Sequence, residues 1–170
     1  MNDRLAAIYD ELAPAVTGYF RARGSRDPED LCGDVFVKVA AGLGRFRGDE
    51  RALRRWVFTI AHHRMVDEYR SAPRRRELMT SQPPDAAGDD PDDPSASGVD
   101  CDLLAALARL TDEQRDVIVL RYVADLSVRD VAKVVHKREG AVKMLQARGL
   151  DELRAHLDRH EHRHGTAPGA

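Results

Sequence analysis

Cysteine is scarce in this chain and long apolar runs are missing. Of 170 residues only two are cysteines, Cys32 and Cys101, far apart and in no CxxC pair. They read as ordinary reduced thiols, which argues against a disulfide framework or a redox couple. No apolar stretch approaches the roughly 20 residues needed to cross a bilayer. The first dozen residues carry Asp3, Asp10 and Glu11 where a secretory leader would be basic and then apolar. A cytoplasmic protein without direct membrane insertion is expected. Aromatics make up only 5% against 42% hydrophobic and 33% charged residues, a composition of slim helical units rather than of a sandwich or barrel.

Catalytic signatures are missing as well. There is no HExxH and no nucleophile motif, and Gly42, Gly44 and Gly48 miss GxGxxG by one position. Two histidine pairings have the one-turn spacing of metal ligands, His63 with Asp67 and His156 with His160; His162 and His164 extend the second toward a His-rich tail. Such tails are commonly solvated, so no metal, no cofactor and no enzymatic activity are expected.

The net charge of -2 conceals a strong asymmetry. Arg45, Arg47, Arg51, Arg54, Arg55, Arg64, Arg70, Arg74, Arg75 and Arg76 crowd one stretch, and no Lys or Arg occurs between Arg76 and Arg109. From about Met79 to Val99 the chain instead carries Pro83, Pro84, Pro91 and Pro94 among Asp85, Asp89, Asp90, Asp92 and Asp93, with almost nothing apolar to bury. This reads as a disordered acidic linker. A coil of about 20 residues averages roughly 25 Å end to end and reaches about 65 Å when extended, enough for two lobes to occupy separate sites. The expected organisation is an N-terminal lobe at 1–78, the linker at 79–100, a second lobe at 101–158 and a disordered tail at 159–170.

Apolar periodicity makes both lobes helical, so the fold class is all-α. Leu5, Ile8, Leu12, Val16 and Tyr19 mark one face of a first helix that ends at Gly24. Asp27 offers an N-cap, Pro28 suits the first helical position, and Leu31, Val35, Val39 and Leu43 continue a second helix. A third begins near Asp49 and carries Leu53, Trp56, Val57, Ile60, Met65 and Tyr69 until Pro73. In the second lobe Thr111 with Gln114 has capping-box spacing, and Ser127 with Asp130 repeats it. A short helix with Val128, Val131 and Ala132 inward, a break at His136, Lys137 and Arg138, and a long helix through Val142, Leu145, Gly149 and Leu153 have helix-turn-helix spacing. The turn needs a residue tolerant of positive φ, usually Gly; His136 stands there, and His is comparatively tolerant. The outward face of the second helix offers Lys143, Gln146 and Arg148 to a major groove.

In order along the chain, these features resemble the extracytoplasmic-function group of sigma factors. The first lobe carries DPEDLCGDVFVKV from Asp27 to Val39, FRGD from Phe46 to Asp49, WVFTIAHH from Trp56 to His63, and Asp67. The second carries LTDEQR from Leu110 to Arg115, LRY from Leu120 to Tyr122, Leu126 with Ser127, and EGAVK from Glu139 to Lys143. The resemblance implies a monomer that binds core RNA polymerase, through the clamp coiled coil of the largest subunit and through the flap, and directs it to promoter DNA. Asp34, Val35, Phe36, Lys38 and Val39 would face the clamp, although the spacing of Val35 and Val39 suits core filling better.

The resemblance also implies a pocket for a flipped minus-ten base at Phe46, Arg47, Gly48, Asp49 and Glu50. His62 and His63 would stand beside it, His63 where the family usually has Asn, and Arg64, Arg70, Arg74 and Arg75 would clamp phosphates. Trp56, at a core-spaced position, reads as packing. Carried onto the second lobe, the minus-thirty-five reader is Arg138, Lys143, Met144, Gln146, Ala147 and Arg148. Arg138 stands where Ser usually caps the helix, and Met144 where a small polar residue is common. An anti-sigma protein wedged between the lobes, holding the chain at the membrane, is a further implication. The rival readings are a one-lobed helix-turn-helix regulator, which would need a phosphoacceptor domain of alternating strands and helices upstream, and a metal-binding protein built on the paired histidines.

Overall fold

The computed structural model describes the backbone of residues 2–78 and 98–164. These residues form seven helices and no strand: α1 (Asn2–Ala22), α2 (Pro28–Leu43), α3 (Glu50–Leu78), α4 (Gly98–Arg109), α5 (Asp112–Tyr122), α6 (Val128–Val134) and α7 (Glu139–His164). Positions 79–97, most of the acidic linker, and 165–170 of the tail lie outside the described residues.

The apolar stripe of α1 does what its spacing requires, burying Ile8, Leu12, Val16 and Tyr19 against Leu31, Val35 and Val39 of α2 and Val57, Phe58, Ala61 and Met65 of α3. Its C-terminus closes as a Schellman motif. Ser25 N–H donates to Phe20 O at 3.0 Å and Gly24 N–H to Arg21 O at 2.9 Å, with Gly24 at φ +80° where a side chain would be strained. Pro28 opens α2 as expected, but Asp27 makes no side-chain cap. Its ψ of 65° departs from the extended geometry that aims a carboxylate at the first free amides of a helix.

α3 does not stop at Pro73. Pro73 costs one N–H donor and crowds the carbonyl a turn earlier, but Arg74, Arg75, Arg76, Glu77 and Leu78 beyond it are good helix formers, and the backbone continues to Leu78. α7 likewise runs to His164, past the boundary expected at 158, and α4 starts at Gly98, slightly before the expected one.

In the second lobe Ala106, Leu107, Leu110, Val117, Ile118, Leu120, Leu126, Val131, Val134 and Val142 form the core. Both halves of the Thr111–Gln114 capping box are made, with Gln114 N–H donating to Thr111 Oγ1 at 3.3 Å and Thr111 N–H to Gln114 Oε1 at 3.0 Å. Ser127 Oγ accepts from Asp130 N–H at 3.1 Å and caps α6. Arg115 finishes α4, donating to the carbonyls of Leu107 at 2.7 Å and Ala108 at 2.8 Å, which the helix end leaves without intrahelical donors. The two lobes lie against each other, α3 on α6 and α1 on α5.

Candidate nucleic-acid and polymerase interface

The loop between α2 and α3 is held by its own hydrogen bonds. Arg47 Nη1 donates to Gly44 O at 3.1 Å and to Phe46 O at 2.8 Å, and Asp49 Oδ1 accepts from Ala52 N–H at 2.8 Å, so Asp49 caps α3. Phe46 stacks on Trp56, centroids 5.1 Å apart and planes 21° from parallel. Gly42 is what admits the indole, since a Cβ there would lie 2.7 Å from it. Trp56 is therefore half-buried packing, and it presents Phe46 at the rim while Arg47, Gly48, Asp49 and Glu50 stay exposed. An aromatic face ringed by exposed donors and acceptors is what an unstacked base can use.

The two histidines of α3 part company. His62 is buried; its Nδ1 shares a hydrogen bond of 3.2 Å with the Tyr19 hydroxyl and lies 3.7 Å from Asp116. Burial above all, with Arg23, His63 and His136 nearby, pushes its pKa down to about 4, leaving the ring neutral at pH 7. His62 therefore does not stand on the DNA-facing surface where the family pattern placed it: the turn of α3 that points His63 outward points His62 inward. His63 is exposed, and its ring stacks on that of His136, 6.2 Å away with planes 10° apart. Arg64 pairs with Asp34 at 2.8 Å, joining a residue expected on DNA to one expected on polymerase. Arg70 is exposed; the side chains of Arg74 and Arg75 lie outside the described residues.

In the helix-turn-helix, His136 adopts φ +54°, the left-handed turn expected of it, and Lys137 N–H donates to Ala132 O at 2.9 Å to close the turn. Lys143, Met144, Ala147 and Arg148 are exposed on α7 and, at i, i+1, i+4 and i+5, share a face. Gln146 does not join them. Its amide is spent on α5, accepting from Arg121 Nε at 3.3 Å and donating to the Tyr122 hydroxyl at 3.2 Å. Arg138 is exposed at the start of α7, where a shallow depression of about 650 Å³ is lined by Arg129, Lys133, His136, Lys137 and Arg138. Arg129, Lys133 and Arg138 there suit a phosphate, whereas Glu139 also lines the depression and Lys137 is paired with Glu113 at 2.6 Å.

On α2, Val35 and Val39 are fully buried and Phe36 nearly so, edge-on to Tyr9 at 4.7 Å. These three fill the core rather than a docking face, because they extend the Leu31 stripe. Lys38 is exposed, and Val37, which the sequence reading passed over, is 70% exposed. Its signal was available: Val37 is an apolar residue out of phase with the stripe. Also missed were Arg23, Arg51, Arg55, Asp116 and Asp130, whose contacts cross between lobes separated in sequence by the linker.

Sigma-70 region 2 matches residues 8–75 and Sigma-70 region 4 matches residues 106–155. The chain belongs to the sigma-70 family. Its relatives place it in the extracytoplasmic-function (ECF) group. It is 33% identical over 169 residues to the ECF RNA polymerase sigma factor ShbA of Streptomyces griseus, covering 91% of this chain and 85% of ShbA. It is 31% identical over 156 residues to the ECF RNA polymerase sigma factor BldN of Streptomyces coelicolor, covering 89% of this chain but only 59% of BldN's length. The fold is that of the sigma factor RpoE solved with the anti-sigma factor NepR from Bartonella quintana, with a TM-score of 0.76, 22% identity, and 93% of this chain and 98% of that one covered. In this ECF sigma factor, α1 to α3 are thus the region 2 lobe and α4 to α7 hold region 4.

Among the described residues no group of three or more metal-ligating side chains stands together, and no helix is long and apolar enough to cross a membrane. His156 is buried, and the side chain of His160 lies outside the described residues.

Proposed function

We propose that this chain binds core RNA polymerase and directs promoter-specific initiation, with region 2 reading and melting the minus-ten element and region 4 reading the minus-thirty-five element. The observation that carries this reading is the presence of both lobes in order, one offering an aromatic-backed loop to an unstacked base and the other a helix face of Lys143, Met144, Ala147 and Arg148 to a major groove. The work is positional rather than catalytic: binding energy for the flipped base is gained only once the duplex opens.

On polymerase, Lys38, Val37 and Asp34 meet the clamp coiled coil and region 4 meets the flap. The segment 79–100 tethers the lobes, the chain acts as a cytoplasmic monomer, and an anti-sigma protein restrains it. The sigma factor RpoE, whose fold is of this kind, was solved in complex with the anti-sigma factor NepR. A helix-turn-helix regulator fits less well, because a region 2 lobe stands where a phosphoacceptor domain would be.

The test is run-off transcription by purified core polymerase on a randomised promoter library. Adding this chain alone should select two motifs at a fixed spacing. Absence of any transcript above core enzyme alone, with no association to core at low salt, would refute the reading.

A further inference from the structure

A methionine stands on the outward line of α7. Val142 is fully buried and Leu153 is 8% exposed. Met144 follows the one by two residues and precedes the other by nine, which puts it about 160–180° around the helix from both. It is 52% exposed. The rotation of α7 is locked from the opposite side. Gly149 sits so close to Ile118 that a Cβ there would fall 2.9 Å from Cγ1 of that residue, and Gln146 is tied to Arg121 and Tyr122 of α5. Turning Met144 inward would undo the packing of α5 on α7.

Its neighbours on that line carry neither bulk nor charge. Gly140, one turn earlier, has open space where a Cβ would stand, and Ala147, three residues later, is exposed. Lys143 flanks this strip on one side and Arg148 on the other, both exposed. The face is an apolar prominence between two cations. Its charge selects a polyanion as occupant, and its place in the first turns of the second helix of a helix-turn-helix is the part that enters a major groove.

We propose that Met144 is a specificity-determining residue that reads the C5-methyl group of a thymine in the upstream promoter element, an assignment that rests on the promoter-reading function of region 4. In the major groove guanine, adenine and cytosine present hydrogen-bonding edges, and thymine alone adds an apolar group. A thioether has no hydrogen to donate and accepts only weakly. Set against any other base edge it would strip water from polar atoms without replacing their bonds, a net loss. Set against a thymine it removes its own exposed methyl and that of the base from water together. The unbranched chain adapts its rotamers to the methyl, and Gly140 and Ala147 let the helix approach closely enough for contact. Lys143 and Arg148 then hold flanking phosphates or guanine edges. The same C5-methyl occurs on 5-methylcytosine, so the test separates the two sources.

The test is selection of duplexes from a library randomised across the upstream element. It is run with holoenzyme assembled from core polymerase and the full chain, and in parallel with the full chain alone. The parent should enrich thymine at one position. Met144→Ala should flatten that position only, with an unchanged melting temperature, and Met144→Leu should keep the preference. In a selected duplex, deoxyuridine in place of that thymine should lower the affinity of the parent about 4-fold, the worth of one buried methyl, and leave that of Met144→Ala unchanged. Equal affinity of the parent for thymine and uracil, or a thymine preference that survives Met144→Ala, would overturn the assignment. So would a preference for 5-methylcytosine over thymine at that position, which would assign the face to modified DNA. Weaker capture of core polymerase by Met144→Ala with unaltered duplex selection would also overturn it and mark the face as a protein contact. If no holoenzyme forms while the chain alone selects a methyl-dependent thymine, the sigma-factor reading fails and the role of Met144 stands. If neither form selects any duplex, both fail.

Discussion

Phe46 lies face to face with Trp56, the ring planes 21° apart and the centroids 5.1 Å apart. The stack joins the loop before α3 to the helix that follows it and holds one ring at the rim of the region 2 lobe. Phe46→Ala should cost about 1 kcal/mol of stability, the worth of one aromatic pair. It should also weaken binding of a single-stranded minus-ten oligonucleotide by about 10-fold, in line with loss of one base stack. Because Trp56 is the single tryptophan, its fluorescence reports both: emission should change on oligonucleotide binding to the parent and not to the variant. An unaltered oligonucleotide affinity would remove Phe46 from the base site.

The recognition helix separates two kinds of polar residue. Arg148→Ala and Lys143→Ala should each weaken minus-thirty-five duplex binding, by about 1–3 kcal/mol for a base contact, or with a salt slope lower by about 1 for a phosphate contact. Gln146→Ala should leave duplex affinity nearly unchanged and instead lower thermal stability, since its amide bridges α7 to Arg121 and Tyr122 of α5. Titrations at several salt concentrations, with melting curves of each variant, check both. A large affinity loss for Gln146→Ala would mean that the α5 bridge opens on DNA.

On α2, adjacent residues should fail differently. Val35→Ala removes fully buried methyls and should destabilise the lobe by about 2 kcal/mol. Val37→Asp and Lys38→Glu touch exposed positions and should leave the unfolding free energy within about 0.5 kcal/mol of the parent while weakening capture by core polymerase. Pull-down with core enzyme beside urea titration distinguishes the two classes.

The pair His62 and Asp116 sets opposing pH dependences. Burial holds His62 down to about 4, so its neutral form is favoured in the fold, and stability is lost as pH falls from about 6.5 toward 4. Burial, against the pull of Arg23, raises Asp116 to about 6, so the fold takes up a proton more readily than the unfolded chain, and stability is gained as pH falls from about 6 toward 3.8. The two effects oppose each other over overlapping windows, so the parent's urea midpoint should change less between pH 6.5 and 4 than that of a variant lacking either group. Asp116→Asn should expose a steep acid loss, and His62→Gln an acid gain. Identical pH profiles for both variants would refute the opposition.

Asp130 behaves conventionally. Its desolvation raises the pKa, but hydrogen bonds from Ser127, Arg55 and Arg51 outweigh this and bring it down to about 2. The stability contributed by Asp130 should therefore be fully present above about pH 4 and be lost as pH falls toward 2, a loss that urea titrations across this range follow and that Asp130→Asn should abolish.

Local chemistry makes much of this molecule legible in its sequence. The apolar stripes at spacings of three and four specified α1, α2 and the core of each lobe, because helical period and burial are properties of neighbours in sequence. The Thr111–Gln114 box, the Ser127 cap and the left-handed turn at His136 are equally local, and so were readable. Helix ends were less so: Pro73 is a punctuation mark that good helix formers on its far side override, and Asp27 has the right identity for a cap but the wrong ψ.

Which way a side chain points, and what it meets across the linker, was decided by tertiary packing alone. Consecutive residues His62 and His63 differ by 100° around α3, so one is sealed against Tyr19 and Asp116 and the other faces outward. Gln146 is polar and on the reading helix, yet its amide closes on α5. Asp130, which spacing presented as half of a capping device, spends its carboxylate on Arg51 and Arg55 more than 70 residues earlier. Sequence determines pattern and propensity because these act over a few bonds; charge pairing between distant segments depends on where folding brings them, and only the assembled lobes set that.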